Sequence, residues 1–516
     1  MLKIHSTIKI LATLIATACG SAAPCLAKAL EPLSPGARPL VVAPGGYTRQ
    51  APVNTARPLA MAGEDDLDYV ELEIRRTKDG QHVVFNTDQI DGKTSGAGAV
   101  GDHTLAELQA LDAGSWFAKR FAGAKVLSLV EALDLAKNHT RLVLVCQDVE
   151  PAQLVEEVNT ADMQDRVAVT GTADVIARIA HAAAGKIAIL GRPPASEDII
   201  QWAAQTKPNA ILLPAALATA EICRALHNST MSIVADCCSG QDNHEMWEKL
   251  TAAGVDAVRT NLPEEFLVDA ISRRVDKRPV QIAAHRGQLR YAPENTVASL
   301  EKADHMLADF VEIDVQTTGD GAFYLLHDGT LDRTTDGHGR VRQNTAETLG
   351  GLDAGSWFGL PFVGTPVPEL QEYLAHFPPQ MGLYFDAKDI TPEALAAAVA
   401  RHGLVERTVV YQGPVYLEKL KQIDPRIRLL SPVGTVSHVD TLAKRLAPYA
   451  VDTPWKLLSR DYIAHCHELG IKVFSDAKGD TTVDGYAQAI EWGIDLIQTD
   501  HPLRLWRAIE RLAAKP

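Results

Sequence analysis

Long apolar runs are missing from the sequence after its first thirty residues, and so is an excess of basic charge. A membrane-spanning helix needs about 20 consecutive apolar residues, so we expect no stable membrane span. The chain has 65 Asp and Glu against 50 Lys and Arg, for a formal net charge of −15. Because a phosphate backbone demands a basic surface, this balance argues against a nucleic-acid partner.

Cysteine is scarce and irregularly spaced. Five of the seven cysteines lie beyond the first thirty residues, at Cys146, Cys223, Cys237, Cys238 and Cys466. An odd number without regular spacing is not a disulfide framework, and no Cys/His spacing typical of a zinc site is present. We interpret these five as structural residues.

The first 29 residues have a basic start, an apolar middle and a small-residue end. This pattern predicts a secretory signal peptide at 1–29, with Ala27-Lys28-Ala29 as its cleavage signal. An anchor helix is the alternative. A lipid-modified Cys19 is a further one, although Ala16-Thr17-Ala18 is a poor lipobox. We therefore expect an exported protein, periplasmic or secreted.

The rest of the chain is a tandem duplication. "LDAGSWF" occurs at Leu111–Phe117 and again at Leu352–Phe358, an offset of 352 − 111 = 241. At the same offset "VAPGGYTRQAPVNT" lies on "AAHRGQLRYAPENT", and later "GVDAVRTNLP" lies on "GIDLIQTDHP" at 493 − 254 = 239. A repeat of this length is a structural unit. We predict domains at 38–271 and 280–516, joined by a basic linker at 272–279.

Within each half, short apolar and β-branched runs alternate with helical patterns. Strand–helix alternation over about 250 residues is typical of a parallel α/β fold, and eight such units close a barrel. We therefore predict two tandem (β/α)8 barrels. In such barrels the chemistry lies at the carboxyl ends of the strands.

Three acidic residues of the second half suggest a cation site. Glu312 and Asp314 are two residues apart in "VEIDV" and so share one face of a strand, and Asp386 ends the apolar run of "LYFDAK". Carboxylates that face a barrel interior repel each other and resist desolvation, which a divalent cation would relieve. An all-oxygen set suits Ca²⁺ or Mg²⁺ rather than Zn²⁺. The alternative is salt bridging to Arg286 and Lys388.

Two histidines accompany these carboxylates. His285 and His327 each follow a predicted strand, and a histidine can exchange a proton near neutral pH. Arg286 and Lys388 add fixed positive charge suited to phosphate oxygens. Together the residues indicate metal-assisted hydrolysis of a phosphate ester.

From Pro279 to Leu505, the second half resembles the glycerophosphodiester phosphodiesterases. The resemblance rests on "AHRG", "PENT", "VEIDVQTTGDG", "LLHDGTLDRTTDGHG", "FDAK" and "GIDLIQTDHP", in this order and spacing. It implies a barrel of the phosphatidylinositol-phosphodiesterase-like type with a small insertion after the second strand, from about Asp328 to Pro368.

The same resemblance implies the roles of individual residues. Its catalytic pair would be His285 and His327, and its substrate pocket would include Arg286, Glu294 and Lys388. Its Ca²⁺ or Mg²⁺ would be held by Glu312, Asp314 and Asp386, where many members have Glu in place of the last residue.

The reaction that the resemblance implies splits a glycerophosphodiester, a small-molecule substrate, into glycerol 3-phosphate and an alcohol. The nucleophile is either water or the glycerol 2-hydroxyl. One departure bears on the substrate: many members have a "WT" pair on the seventh strand, whereas this chain has Ser475 and Asp476 in "KVFSDAKGD".

The first half lacks most of this set. At the 241 offset Pro44 replaces His285, Asn86 replaces His327 and Val145 replaces Asp386, while two acidic residues remain as Glu71 and Glu73. We therefore predict a degenerate, inactive barrel that is a structural partner or a ligand-binding module. We also expect the two barrels to pack against each other.

Two other functions stay open. One is a phospholipase or lyase that acts on intact lipid through the same residues, for which Gly355–Gly364 would form an apolar rim. The other is a non-catalytic binding or scaffold protein. The presence of both histidines and all three carboxylates in the second half argues against the latter.

Overall fold

The structure is a computed structural model that describes residues 29–34, 36–477, 479 and 481–514. The chain forms two compact units that meet in sequence between Ala270 and Ile271. Apart from Ala29, the predicted signal peptide lies outside the described residues. No helix within those residues combines the length and the apolar character needed to cross a bilayer.

The first unit contains a closed barrel of eight parallel strands. Its order around the barrel is β1-β9-β8-β7-β6-β5-β4-β2, and β1 pairs with β2 to close it, while a short antiparallel β3 extends β2. The strands are β1 Leu40–Pro44, β2 Tyr69–Arg76, β3 His82–Val84, β4 Arg141–Cys146, β5 Val167–Gly171, β6 Ala188–Gly191, β7 Ala210–Pro214, β8 Ser232–Asp236 and β9 Ala257–Arg259.

The second unit repeats this topology. Its order is β10-β18-β17-β16-β15-β14-β13-β11, closed by pairing of β10 with β11, and an antiparallel β12 extends β11. The two predicted (β/α)8 barrels are thus confirmed. The strands are β10 Gln281–Ala284, β11 Phe310–Thr317, β12 Phe323–Leu325, β13 Gly382–Asp386, β14 Thr408–Tyr411, β15 Arg428–Pro432, β16 Ala450–Asp452, β17 Lys472–Ala477 and β18 Leu496–Thr499.

Helices connect the strands, and local sequence sets where several of them begin. Ser128, for example, accepts a hydrogen bond from the backbone N–H of Glu131, whose carboxylate in turn accepts from the backbone N–H of Ser128. This reciprocal capping fixes the first turn. The α-helices are Ala56–Glu64, Leu105–Ala110, Leu129–Ala136, Pro151–Thr160, Ala173–Ala183, Ile199–Thr206, Ala220–His227, His244–Ala253, Pro263–Ser272, Val297–His305, Ala346–Gly350, Leu370–Ala375, Pro392–Arg401, Pro414–Ile423, His438–Arg445, Arg460–Glu468, Val483–Trp492 and Pro502–Ala513.

Both barrels carry an insertion after the second strand, although it was predicted for the second barrel alone. In each, the repeated "LDAGSWF" is a tight loop organised by its aspartate. The Asp353 carboxylate accepts backbone N–H groups of Gly355 and Gly364 at 2.6 and 2.8 Å, and Asp112 does the same in the first barrel. The loop's own geometry therefore explains why this stretch is identical in both halves.

The floor of the first barrel differs from that of the second. Four inward-facing positions hold Val143, Ala168, Val234 and Ala257 in the first barrel, where the second has the larger side chains Tyr384, Val409, Phe474 and Leu496. The buried residues Ala29 and Leu30 pack against the smaller set. Leu30 donates its backbone N–H to the Tyr69 hydroxyl at 2.8 Å and accepts from the Ser232 hydroxyl at 2.6 Å. A segment that precedes the repeat thus fills the space left by small side chains.

Candidate active site

A polar cleft opens at the carboxyl ends of the second barrel's strands and contains about 430 Å³ of open space. It has the position that the fold predicts for a functional site. It is lined by His285, Arg286, Glu312, Asp314, His327, Tyr384, Asp386, Lys388, Tyr411, Asp452, Asp476 and Gln498.

The three predicted carboxylates meet in this cleft. Glu312 and Asp314 are two residues apart on β11 and therefore share one face of the strand. Asp386, at the end of β13, pairs in register with Asp314. One oxygen from each lies within 4.8 Å of the others. Glu312 and Asp314 are buried, with 3% and 1% of their surface exposed. Strand register alone therefore builds the cluster.

The cluster carries more negative charge than its neighbours offset. Burial, together with Asp314 and Asp386, raises the pKa of Glu312 well above its usual value. Glu312 accepts the backbone N–H of Arg286 at 2.7 Å, and no side-chain cation of the described residues forms an ion pair with it. A divalent cation with oxygen ligands fits such a set.

The alternative of salt bridging is present at two members of the cluster. Lys388 lies 2.8 Å from Asp314 and 3.7 Å from Asp386, and the Asn295 amide donates to Asp314 at 2.9 Å. Burial raises the pKa of Asp314, but Lys388 and Asn295 outweigh it, and the net pKa is lowered. Asp314 is thus paired with Lys388 and Asn295, whereas Glu312 forms no ion pair within the described residues.

Arg286 occupies a strained backbone position. Its φ is +52°, in the left-handed region that non-glycine residues rarely adopt, and the first barrel has Gly45 there with φ +69°. The Arg286 guanidinium lies 3.0 Å from Glu294 and 3.5 Å from Asp314. Backbone strain of this kind is common at functional sites.

His285 directly follows β10 and is supported by a carboxylate. Its Nδ1 lies 2.6 Å from an oxygen of Asp500, the residue that directly follows β18. Burial raises the pKa of Asp500, but the hydrogen bond and the charge of His285 outweigh it, so that the net pKa is lowered. With Nδ1 engaged, the Nε2 of His285 is the nitrogen left for chemistry in the cleft.

His327 has the same kind of support. Its Nδ1 lies 2.7 Å from Asp328, and Arg333 donates to the other Asp328 oxygen at 2.7 Å and forks onto both Glu294 oxygens at 2.8 Å. The Arg333 hydrogen bonds lower the pKa of Asp328. Because Glu294 also accepts a hydrogen bond from Arg286, one continuous network connects the imidazole of His327 to the guanidinium of Arg286.

Sequence reasoning assigned no role to Asp328, Arg333 or Asp500, although all three lie in the quoted motifs "LLHDGTLDRTTDGHG" and "GIDLIQTDHP". The signal that could have found Asp500 is its position immediately after a strand. Arg333 lies within the insertion, and no periodicity places it against Glu294.

The far wall of the cleft was also missed in part. Asp452 ends β16, and Asp476 lies on β17 beside it. Of the pair flagged from sequence, Asp476 lines the cleft, whereas Ser475 is buried and donates to the Thr453 carbonyl at 2.6 Å. Burial, with help from these acids, raises the pKa of Tyr411 to about 12, which shows the negative potential of this wall.

The first barrel presents a different set at the same level. Asn86 exchanges hydrogen bonds with Asn54 at 3.0 Å, and Val145 is a buried apolar side chain. Glu71 accepts two hydrogen bonds from Arg259 at 3.0 and 2.8 Å. Within the described residues, Glu312, Asp314 and Asp386 form the single group arranged to hold a metal.

Fold and site together define a tandem parallel α/β-barrel protein with paired histidines and clustered carboxylates at one barrel mouth. The family model described as the glycerophosphoryl diester phosphodiesterase family matches residues 46–265 and 285–504. The two segments cover more than half of the chain, which therefore belongs to this family.

The chain is also similar to individual proteins. A glycerophosphodiester phosphodiesterase of Bacillus subtilis is 32% identical over 247 residues, which span 42% of this chain and 83% of the relative. One of Caldanaerobacter subterraneus is 31% identical over 245 residues, which span 45% of this chain and 98% of the relative. The crystal structure of the Agrobacterium tumefaciens enzyme matches with 29% identity and a TM-score of 0.42, covering 44% of this chain and 99% of that chain.

Proposed function

We propose that the second barrel hydrolyses glycerophosphodiesters to glycerol 3-phosphate and an alcohol, with one Ca²⁺ or Mg²⁺. The observation that carries this proposal is the convergence of two carboxylate-backed histidines and three carboxylates in one cleft. Family membership and the activity named for the relatives support the substrate class.

Glu312, Asp314 and Asp386 would hold the cation, which supplies positive charge to the phosphoryl oxygens when bound. In this assignment Asp500 and Asp328 orient the imidazoles of His285 and His327 through Nδ1. One imidazole accepts the proton of the nucleophile and the other donates a proton to the leaving alcohol.

Arg286 and Lys388 offer fixed positive charge at the same cleft. Their place beside Asp314 suits them to bind the non-bridging oxygens of the phosphodiester. Glu294 supports this arrangement because it accepts hydrogen bonds from both Arg286 and Arg333.

Two nucleophiles satisfy the same acid–base pair. With water, one P–O bond to the leaving alcohol breaks as one P–O bond to water forms, and glycerol 3-phosphate is released directly. With the glycerol 2-hydroxyl, the first product is a cyclic phosphate that water opens in a second step. Detection of the cyclic phosphate during turnover distinguishes the two routes.

The decisive experiment follows glycerol 3-phosphate release from glycerophosphocholine and glycerophosphoethanolamine, with added Ca²⁺ or Mg²⁺ and with EDTA. Release that EDTA stops and excess metal restores is the expected result. Release that EDTA does not affect would contradict the metal assignment, and absence of release with every metal would contradict the substrate class.

One observation favours intact lipid as a second candidate substrate. In the insertion of the second barrel, Leu360 and Val363 are 52% and 61% exposed, whereas the first barrel has Lys119 and Ala122 at these positions. An apolar tip confined to the barrel with the chemistry suits contact with a lipid surface. Turnover of phospholipid vesicles in the same assay tests it.

We also propose that the chain is exported with removal of an amino-terminal signal, as its first residues predict. The first barrel would then be a structural partner without turnover. Fractionation of cells, with sequencing of the mature amino terminus, tests the first statement.

A further inference from the structure

Arg259 in the first barrel stands where the second barrel has Gln498. Arg259 on β9 pairs with Val42 on β1, and Gln498 on β18 pairs with Ala283 on β10. Val42 and Ala283 are themselves equivalent, since 283 − 42 = 241. Strand pairing therefore equates Arg259 and Gln498 without any appeal to overall similarity.

The Arg259 guanidinium is enclosed by acidic groups. It donates to both Glu71 oxygens at 3.0 and 2.8 Å and to Asp236 at 3.0 Å. Glu71, the counterpart of Glu312, is 5% exposed, and a second guanidinium, that of Arg192, lies 3.7 Å from it. Glu312 of the second barrel forms no ion pair within the described residues, whereas its counterpart Glu71 in the first barrel is paired with two guanidinium groups.

A third oxygen ligand is also missing from the first barrel. Val145 pairs with Glu73 in the same register in which Asp386 pairs with Asp314. Its buried side chain offers no donor atom. The residues of this barrel therefore do not fit the divalent cation that the family site holds.

We infer that the Arg259 guanidinium takes the place of the divalent cation in the first barrel, so that each chain binds one such ion, in the second barrel. A guanidinium is a planar, permanently charged donor that matches a carboxylate bidentately. The inference rests on the proposed cation site of the second barrel. It adds that the loss of metal in the first barrel was accompanied by a built-in positive charge.

The test is the number of ions bound per chain. Metal-free protein is brought to saturating Ca²⁺ and, in a parallel sample, to saturating Mg²⁺ by equilibrium dialysis, and the bound metal is counted by mass spectrometry. We expect one equivalent for the wild type, none for Asp314→Asn, and one for the matched variant Glu73→Gln. Thermal unfolding of each variant confirms that it is folded.

A gain-of-site variant sharpens the test. Arg259→Gln with Val145→Asp removes the guanidinium and adds a third carboxylate beside Glu71 and Glu73, and we expect two equivalents, with Arg259→Gln alone remaining at one. Two equivalents in the wild type would overturn the inference and leave the proposed function standing, as would a folded double variant that stays at one. No bound ion in the wild type with either metal would overturn both. If the double variant does not fold, the wild type and the matched pair still decide.

Discussion

After its first strand, the second barrel has Arg286 at φ +52° and the first barrel has Gly45 at φ +69°. The backbone makes the same turn in both, and glycine makes it without strain. The second barrel tolerates the strained conformation because the guanidinium has Glu294 and Asp314 to bind. The first barrel has no such contacts at this position, and it has the glycine that adopts the conformation without strain.

The same comparison of the two barrels separates residues that maintain the fold from residues of the site. The aspartate of "LDAGSWF" organises its loop in both barrels and is retained. His285, Asp500, His327 and Asp328 are all changed, to Pro44, Asn261, Asn86 and Thr87. Residues that disappear together are those that contact each other around the imidazoles. One chain thus contains both the site and its own control for what is scaffold.

The largest expected effect comes from the histidines. His285→Ala or His327→Ala should lower kcat by about 10²–10⁴-fold, because each removes a general acid or base. The measurement is the initial rate of glycerol 3-phosphate release, with circular dichroism to confirm folding. The matched variants Pro44→Ala and Asn86→Ala should leave kcat unchanged. A histidine variant with wild-type turnover would remove the proposed mechanism.

A smaller loss is expected from the supporting carboxylate. Asp500→Asn should lower kcat/KM by roughly ten- to a hundredfold, since a hydrogen bond to a charged group contributes about 1.5–3 kcal/mol. The matched variant Asn261→Ala should leave kcat/KM unchanged. Wild-type kcat/KM in Asp500→Asn would contradict the role assigned to this carboxylate.

Stability should respond to Glu294 in a pH-dependent way. Burial raises the pKa of Glu294, but Arg333 and Arg286 outweigh it and lower the net pKa. A lowered folded pKa stabilises the protein above the unfolded value of about 4.3, and this stabilisation is lost as pH falls through the folded pKa.

Glu294→Gln should therefore reduce the free energy of unfolding by about 1.5–3 kcal/mol at pH 7 and by progressively less in acid, as measured by urea titration. The control Glu64→Gln removes an exposed ion pair with Arg57 and should cost about 0–1 kcal/mol. A loss for Glu294→Gln that does not diminish in acid would contradict the charge-based account.

The smallest effect is expected at the apolar tip. Leu360→Lys with Val363→Ala transfers the first barrel's residues to the second. On soluble glycerophosphodiesters we expect less than about a twofold change in kcat/KM, because exposed side chains away from the cleft contribute little. A large, selective loss on phospholipid vesicles would instead favour intact lipid as the substrate.

The fold and the core of the site could be predicted from the sequence because strand periodicity controls both. Glu312 and Asp314 share a face by alternation, and the repeat reports the length of one barrel. The partners of the histidines could not be predicted in this way. Asp500 reaches His285 across 215 positions, and Arg333 meets Glu294 from an irregular loop, so neither contact leaves a periodic trace. The role of Arg259 could not be predicted either, because its equivalence to Gln498 depends on the pairing register of β9 with β1.

The repeated unit begins near β1, but the first barrel's interior is completed by Leu30, ten residues earlier. The unit of duplication is therefore shorter than the unit that must be present for the barrel to be filled. A fragment that starts at the repeat boundary would lack Leu30, and the floor of its first barrel would contain an unfilled cavity.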